Sequence, residues 1–165
     1  MTETFTPGPG KSRDLRDALG TFATGVTVVT VASQHGPLGI TANSFASVSL
    51  DPPLVLWCPA KASRRFEAFV TAEHFAIHVM GEHQDAQTVG FSRSGTAFDT
   101  CDWTPSEHQV PLIAGCPARF ECTTRDRIDA GDHAVIIARV TRVTTEPTRP
   151  RLFHAGIYGG FTPLN

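Results

Sequence analysis

No run of Lys or Arg in this sequence exceeds two residues, and 14 basic side chains stand against 16 acidic ones, for a net charge of -2. A nucleic-acid surface needs a clustered positive field, and so does a polybasic membrane anchor; neither partner is expected. No apolar run approaches the roughly 20 residues that cross a bilayer. The opening segment MTETFTPGPGKSRD has an early acid and no apolar stretch, unlike a signal peptide. A cytoplasmic location is the expectation. The four cysteines, Cys58, Cys101, Cys116 and Cys122, form no Cys-x-x-Cys. They read as buried thiols and not as disulfides or zinc ligands. Also missing are G-x-G-x-x-G, H-E-x-x-H, a nucleophile elbow, a catalytic carboxylate pair and any internal repeat. GPGKS at 8–12 lacks the earlier glycine of a phosphate loop, because position 5 is Phe5. No metal site is expected.

What is present is an ordinary globular composition, 41% hydrophobic and 18% charged over 165 residues. Residues 1–11, with Pro7, Gly8, Pro9 and Gly10, read as a flexible arm; residues 12–165 read as one domain. Ser12 is the predicted cap of a helix from 13 to about 21, with Leu15, Ala18 and Leu19 on one face. VTVVTVAS (26–33) is apolar or β-branched on both faces, which predicts a strand covered on both sides. Strands follow at 39–43, 45–49 and 54–58, with Asp51-Pro52-Pro53 breaking the ladder. A helix at 63–72 precedes a strand at 74–80, where Phe75, Ile77 and Val79 point inward. A weak helix covers 81–91, and 92–116 reads as irregular. Two long strands, 118–126 and 133 to about 144, flank a turn at 129–132. A last strand spans roughly 151–158. Strands joined mostly as hairpins predict a mainly β protein, an antiparallel closed barrel with short helices outside.

Three places carry candidate chemistry. In GITANSFASVSLDPPL (39–54), the small polar residues Thr41, Ala42, Asn43 and Ser44 stand at a strand junction with apolar flanks. Either a flat ligand lies against the backbone there, or the segment satisfies its own backbone in a turn. In CPAKASRRF (58–66), Ser63 reads as a helix cap, yet Arg64 and Arg65 oppose the dipole of the helix they open. A bound anion with Lys61 as third cation would resolve that conflict; the alternative is that both arginines extend into water. His133 leaves the turn beside Asp132 and enters an apolar strand. It is either a donor or relay at a pocket mouth or a histidine bonded to its own turn. His74, His78 and His83 read as solvated or second-layer side chains.

Six stretches in order, FATGVTVVT (22–30), GITANSFASVSLDPPLVLWC (39–58), KASRRFEAF (61–69), FAIHVM (75–80), AGDHAVIIARV (130–140) and HAGIYGGF (154–161), give the chain a family likeness. It resembles the short flavin reductases that form the small component of two-component flavin-dependent monooxygenases. The resemblance implies a split β-barrel with Greek-key antiparallel strands, usually a homodimer. It implies an NAD(P)H:flavin oxidoreductase that reduces FMN or FAD with NADH or NADPH and hands reduced flavin to a partner monooxygenase. The alternative is a flavin-binding carrier or sensor of the same fold. Carried over by position, Thr41, Ala42, Asn43 and Ser44 would line the flavin ring, with Ser47 and Val48 at its pyrimidine side. Lys61, Ser63 and Arg64 would hold the phosphate. His133, Tyr158 and Gly159 would border the nicotinamide, and His133 is the one catalytic candidate, through binding or orientation. Two departures stand out: His78 occupies the place of an expected asparagine, and SRSGTAFDTCDW (92–103) is particular to this chain.

Overall fold

The stretch that is apolar or β-branched on both faces becomes an inner strand, flanked on both sides in its sheet. In a computed structural model of the chain, residues 2–163 are described. The first residue of the expected arm and the last two of the expected domain lie outside the described residues. The chain runs α1 (Ser12–Gly20), β1 (Thr24–Gly25), β2 (Thr27–Ser33), β3 (Gly36–Ala42), β4 (Ala46–Leu50), β5 (Pro53–Trp57), α2 (Phe66–Thr71), β6 (His74–Val79) and α3 (Asp85–Arg93). A 3-10 turn at Ala97–Thr100 leads to the hairpin β7 (Trp103–Pro105) and β8 (Pro111–Ile113). Then come the long β9 (Ala118–Ala130) and β10 (His133–Thr145), and the short β11 (Leu152–His154) and β12 (Ile157–Gly159).

Seven strands form one antiparallel sheet in the order β3-β2-β6-β9-β10-β5-β4. Its outer edges, β3 and β4, stand six strand spacings apart, which is ~29 Å in a flat sheet. Only residues 43–45 connect them, and that link reaches at most ~15 Å. The sheet must curl until its edges approach. It does not zip shut, since no ladder joins β3 to β4 among the described residues. The closed barrel expected from the strand pattern is therefore split along one seam.

Inside the curl lie Val29, Val31, Val55, Trp57, Phe75, Ile77, Cys122, Ile136 and Ala138, capped by Phe69 from α2. Trp57 of β5 and Phe75 of β6 sit 6.2 Å apart across the curl, although two strands separate them in the sheet. The other face of β2 packs Val28, with the adjacent Val26, against Met80, Phe91, Phe98 and Ile113 under α3. Both faces of β2 are thus covered, as its sequence requires.

Several boundaries differ from expectation. Ser12 lies within α1 and caps nothing; Lys11 precedes the helix and pairs with Asp14 at 2.6 Å. The helix expected at 63–72 is only Phe66–Thr71, because residues 61–65 are used in turns. Val79 is half-buried, while Ala76 and His78 on the opposite face are fully buried. The strand expected at 151–158 is a hairpin whose turn residues, Ala155 and Gly156, have φ of 47° and 82°. Asp51-Pro52 turns the chain so that Leu50 pairs with Pro53. All four thiols are free, and burial pushes Cys122 up to about 12, which leaves it inert.

Candidate functional site

The seam is where the polar stretch lies. Ser44 Oγ accepts from the Cys58 N–H at 2.9 Å, which ties the connection between the two sheet edges to the end of β5. Phe45 turns inward and stacks on Phe120, with centroids 5.5 Å apart. The Thr41 hydroxyl donates to Thr88 O at 2.7 Å and so fastens β3 to α3. Two of the hydroxyls in the stretch therefore serve the fold itself. Asn43 is exposed, as are Ser47 and Val48 on the opposite edge, where a bulge breaks the β4–β5 register.

The backbone of β3 is the less obvious resource. Gly39 directs its N–H to Gly95 O at 2.8 Å and its C=O to the Arg65 guanidinium at 2.9 Å, both away from β2. By the two-residue period of a strand, Thr41 directs its own N–H and C=O the same way. No turn or loop hydrogen bond takes them among the described residues. Thr41 lines a pocket of about 200 Å³ together with Val26, Ala42, Asn43, Ser92, Phe153 and Tyr158. Phe153 and Tyr158 are cross-strand partners in the β11–β12 hairpin, with ring centroids 5.2 Å apart. The hairpin is held to the body through the pairing of Thr24 with Phe153.

A second group gathers at the tip of β9–β10. The Lys61 N–H donates to Asp132 O at 2.9 Å, Ala134 N–H to Pro59 O at 3.1 Å, and Ala60 bridges His133. Lys61 Nζ pairs with Asp129 at 2.6 Å. The His133 ring lies 2.8 Å from the Asp132 carboxylate through Nδ1, and that bond holds the Asp132 carboxyl below its usual range. The bonds of Ser44 to Cys58 and of Arg65 to Gly39 bring the 58–65 segment alongside the end of β3.

The fold thus brings Thr41, Ala42, Asn43 and Tyr158 together, and separately Lys61 with His133. Gly159 pairs with Leu152 beside the first group. Ser63 closes a turn, its Oγ accepting from Arg65 N–H at 3.2 Å. Arg64 lines a different groove, of about 530 Å³, with His35, Leu38 and Glu67. Ser63 is not the helix cap that the sequence suggests. Lys61, Ser63 and Arg64 all precede α2, which spans six residues and has no side-chain cap.

Sequence reasoning missed Val26, Ser92 and Phe153 as lining residues. Phe153 was legible in principle, because Ala155-Gly156 signals a turn that sets it opposite Tyr158. Of the two readings of His78, solvated or second-layer, the solvated one is excluded, because the side chain is fully buried. The His78 Nδ1–H donates to Val28 O and Nε2 accepts the Ile113 N–H, both at 3.0 Å. A carbonyl can only accept and an amide N–H can only donate, so the ring is neutral with its proton on Nδ1. Burial, with a smaller push from Arg119, drives its pKa down to about 3.

Residues 19–162 match the family model described as "Flavin reductase like domain". The FMN reductase (NADH) SmoA of Agrobacterium fabrum is 52% identical over 158 residues, covering 96% of this chain and 91% of that protein. The reductase component of the flavin-dependent trigonelline monooxygenase of Acinetobacter baylyi is 48% identical over 93% of this chain, but the match spans only 49% of that longer protein. Among solved structures, the NADH:FAD oxidoreductase SgcE6 of Streptomyces globisporus, in complex with NAD and FAD fragments, superposes with a TM-score of 0.88. It is 38% identical and covers 97% of this chain and 98% of that one.

Proposed function

The chain belongs to the flavin reductase like family, and from that premise we propose that it is an NADH-dependent flavin reductase. It reduces FMN or FAD and supplies the reduced flavin to a flavin-dependent monooxygenase. The observation that carries the reading is the pocket that Thr41 and Asn43, at the edge strand's end, share with the Phe153–Tyr158 pair. A heteroaromatic ring with polar edges needs both kinds of surface.

The residues fit such a ring. The pocket, at about 200 Å³, is smaller than the roughly 300–1,000 Å³ that encloses a whole small-molecule ligand. It grips part of a ring and leaves the rest open, which suits a flavin that comes and goes. Thr41, Ala42, Asn43 and Ser44 hold the ring, and Ser47 and Val48 border it from the other sheet edge. Lys61 and Ser63 take the phosphate, with Arg64 reaching it from its own groove. His133, Tyr158 and Gly159 border the nicotinamide. Bound together, the two cofactors supply the redox chemistry, hydride donor and hydride acceptor. The protein's part is to orient them and keep water out. The backbone N–H at Thr41 stabilises negative charge as it develops on the ring edge. His133, half-exposed and tied to Asp132, orients the donor; proton transfer can be left to water. The working unit is a homodimer in the cytoplasm.

The test is NADH oxidation with FMN or FAD at many equivalents over enzyme. Sustained turnover is expected. Flavin binding without any NADH oxidation would reject the assignment.

A further inference from the structure

The pair Arg64-Arg65 divides in the fold. Both residues line the surface groove, but Arg65 turns its guanidinium into the wall between β3 and α3. Its Nη1 donates to Gly39 O at 2.9 Å and to Phe91 O at 2.7 Å, and Nη2 reaches Ser92 O at 3.4 Å. Phe91 and Ser92 lie in the last turn of α3, whose final carbonyls have no helical partner. A cation also suits the negative end of a helix. Arg65 is thus a side-chain clamp on the carboxyl end of α3, and the same atom that clamps it holds the edge strand.

The surroundings are built around this clamp. A Cβ on Gly95 would lie 2.9 Å from Arg65 Cδ, and Gly95 O holds the Gly39 N–H. The two elements so joined carry Ser92 on one side of the pocket and Thr41 and Ala42, followed by Asn43, on the other. The only other side-chain stitch between β3 and α3 among the described residues is Thr41 to Thr88. We propose that Arg65 is a positioning residue that sets the spacing of the pocket's ring-binding walls and is not a phosphate ligand. This rests on the reading of the pocket as the flavin-ring site.

Riboflavin and FMN share the ring and differ in the phosphate, so their affinities separate the two roles. Flavin dissociation constants are measured by fluorescence titration on the full chain, with circular dichroism confirming the fold. Arg65→Met is expected to raise Kd about tenfold, and equally for both flavins, as misplaced binding groups do. Arg65→Lys, which keeps one cationic donor, is expected to restore part of the affinity, again equally, and carries the test if the Met variant does not fold. A loss confined to FMN would overturn the proposal and make Arg65 a phosphate ligand. Folded variants with unchanged Kd for both would also overturn it and reduce Arg65 to a stabilising contact. Failure of the unmodified protein to bind either flavin would remove the parent reading and this proposal with it.

Discussion

His78 shows how one side chain can make a fold sensitive to acid. Both ring nitrogens are engaged by backbone groups that admit only the neutral form. In the unfolded chain the ring takes a proton near its ordinary value, 6.5; in the fold it resists protonation down to about 3. Below about pH 6.5 the unfolded state therefore binds a proton that the folded state refuses. The contribution is complete above that pH and declines by about 1.4 kcal/mol per pH unit on acidification towards 3. Urea midpoints followed from about pH 7 to about pH 4 should fall with this extra slope. In His78→Asn, whose amide offers both a donor and an acceptor but does not titrate, the slope should flatten by one proton. The asparagine expected at this position from the family likeness would serve the same two backbone groups without the pH dependence. The motif FAIHVM showed the substitution but not its burial, since burial comes from the β7–β8 hairpin packing over it.

At the scale of elements, β3 and α3 pass very close to one another at Gly39. A Cβ on Gly39 would meet the Phe91 ring at 2.5 Å, and that ring is completely buried. It has nowhere to retreat, so Gly39→Ala is expected to destabilise the fold by about 1–3 kcal/mol, as overpacking does, read from urea unfolding. Because β3 carries Thr41 and leads directly to Asn43, flavin affinity should fall in the same variant. The strands themselves were legible. The two-faced apolar pattern of β2 and the Gly131 turn between β9 and β10 each stated a local preference that the fold respects, whereas β6, which reads as alternating, is buried on both faces. The start of α2 was not. Ser63 and the charges after it resemble a helix opening, but the Ser63 hydroxyl closes a turn and Arg65 is drawn off by three carbonyls of distant elements. A local pattern cannot reveal a competitor supplied by another part of the chain.

For the whole molecule, the curled sheet leaves large apolar side chains in water. Leu50 on the β4 edge is 95% exposed, Phe22 after α1 is 78% exposed and Ile157 in the last hairpin is 72% exposed. Edge strands with exposed apolar residues invite a partner. Sedimentation is expected to give twice the 17.8 kDa chain mass. Leu50→Lys should weaken that association while changing the stability of the single chain by about 0.5 kcal/mol or less, as surface changes do. A monomeric unmodified protein would remove the homodimer from the functional reading. The sequence alone determined that the protein is antiparallel and mainly β, and where its polar stretch interrupts the apolar pattern, because side-chain alternation and turn residues act over a few neighbouring positions. The family likeness implied a split barrel, but only the tertiary structure placed the seam between β3 and β4. Only it set Phe153 and Tyr158 across from Thr41, and separated Arg65 from Arg64. Those outcomes depend on a short link forcing distant edges together and on carbonyls more than 20 positions away competing for one guanidinium.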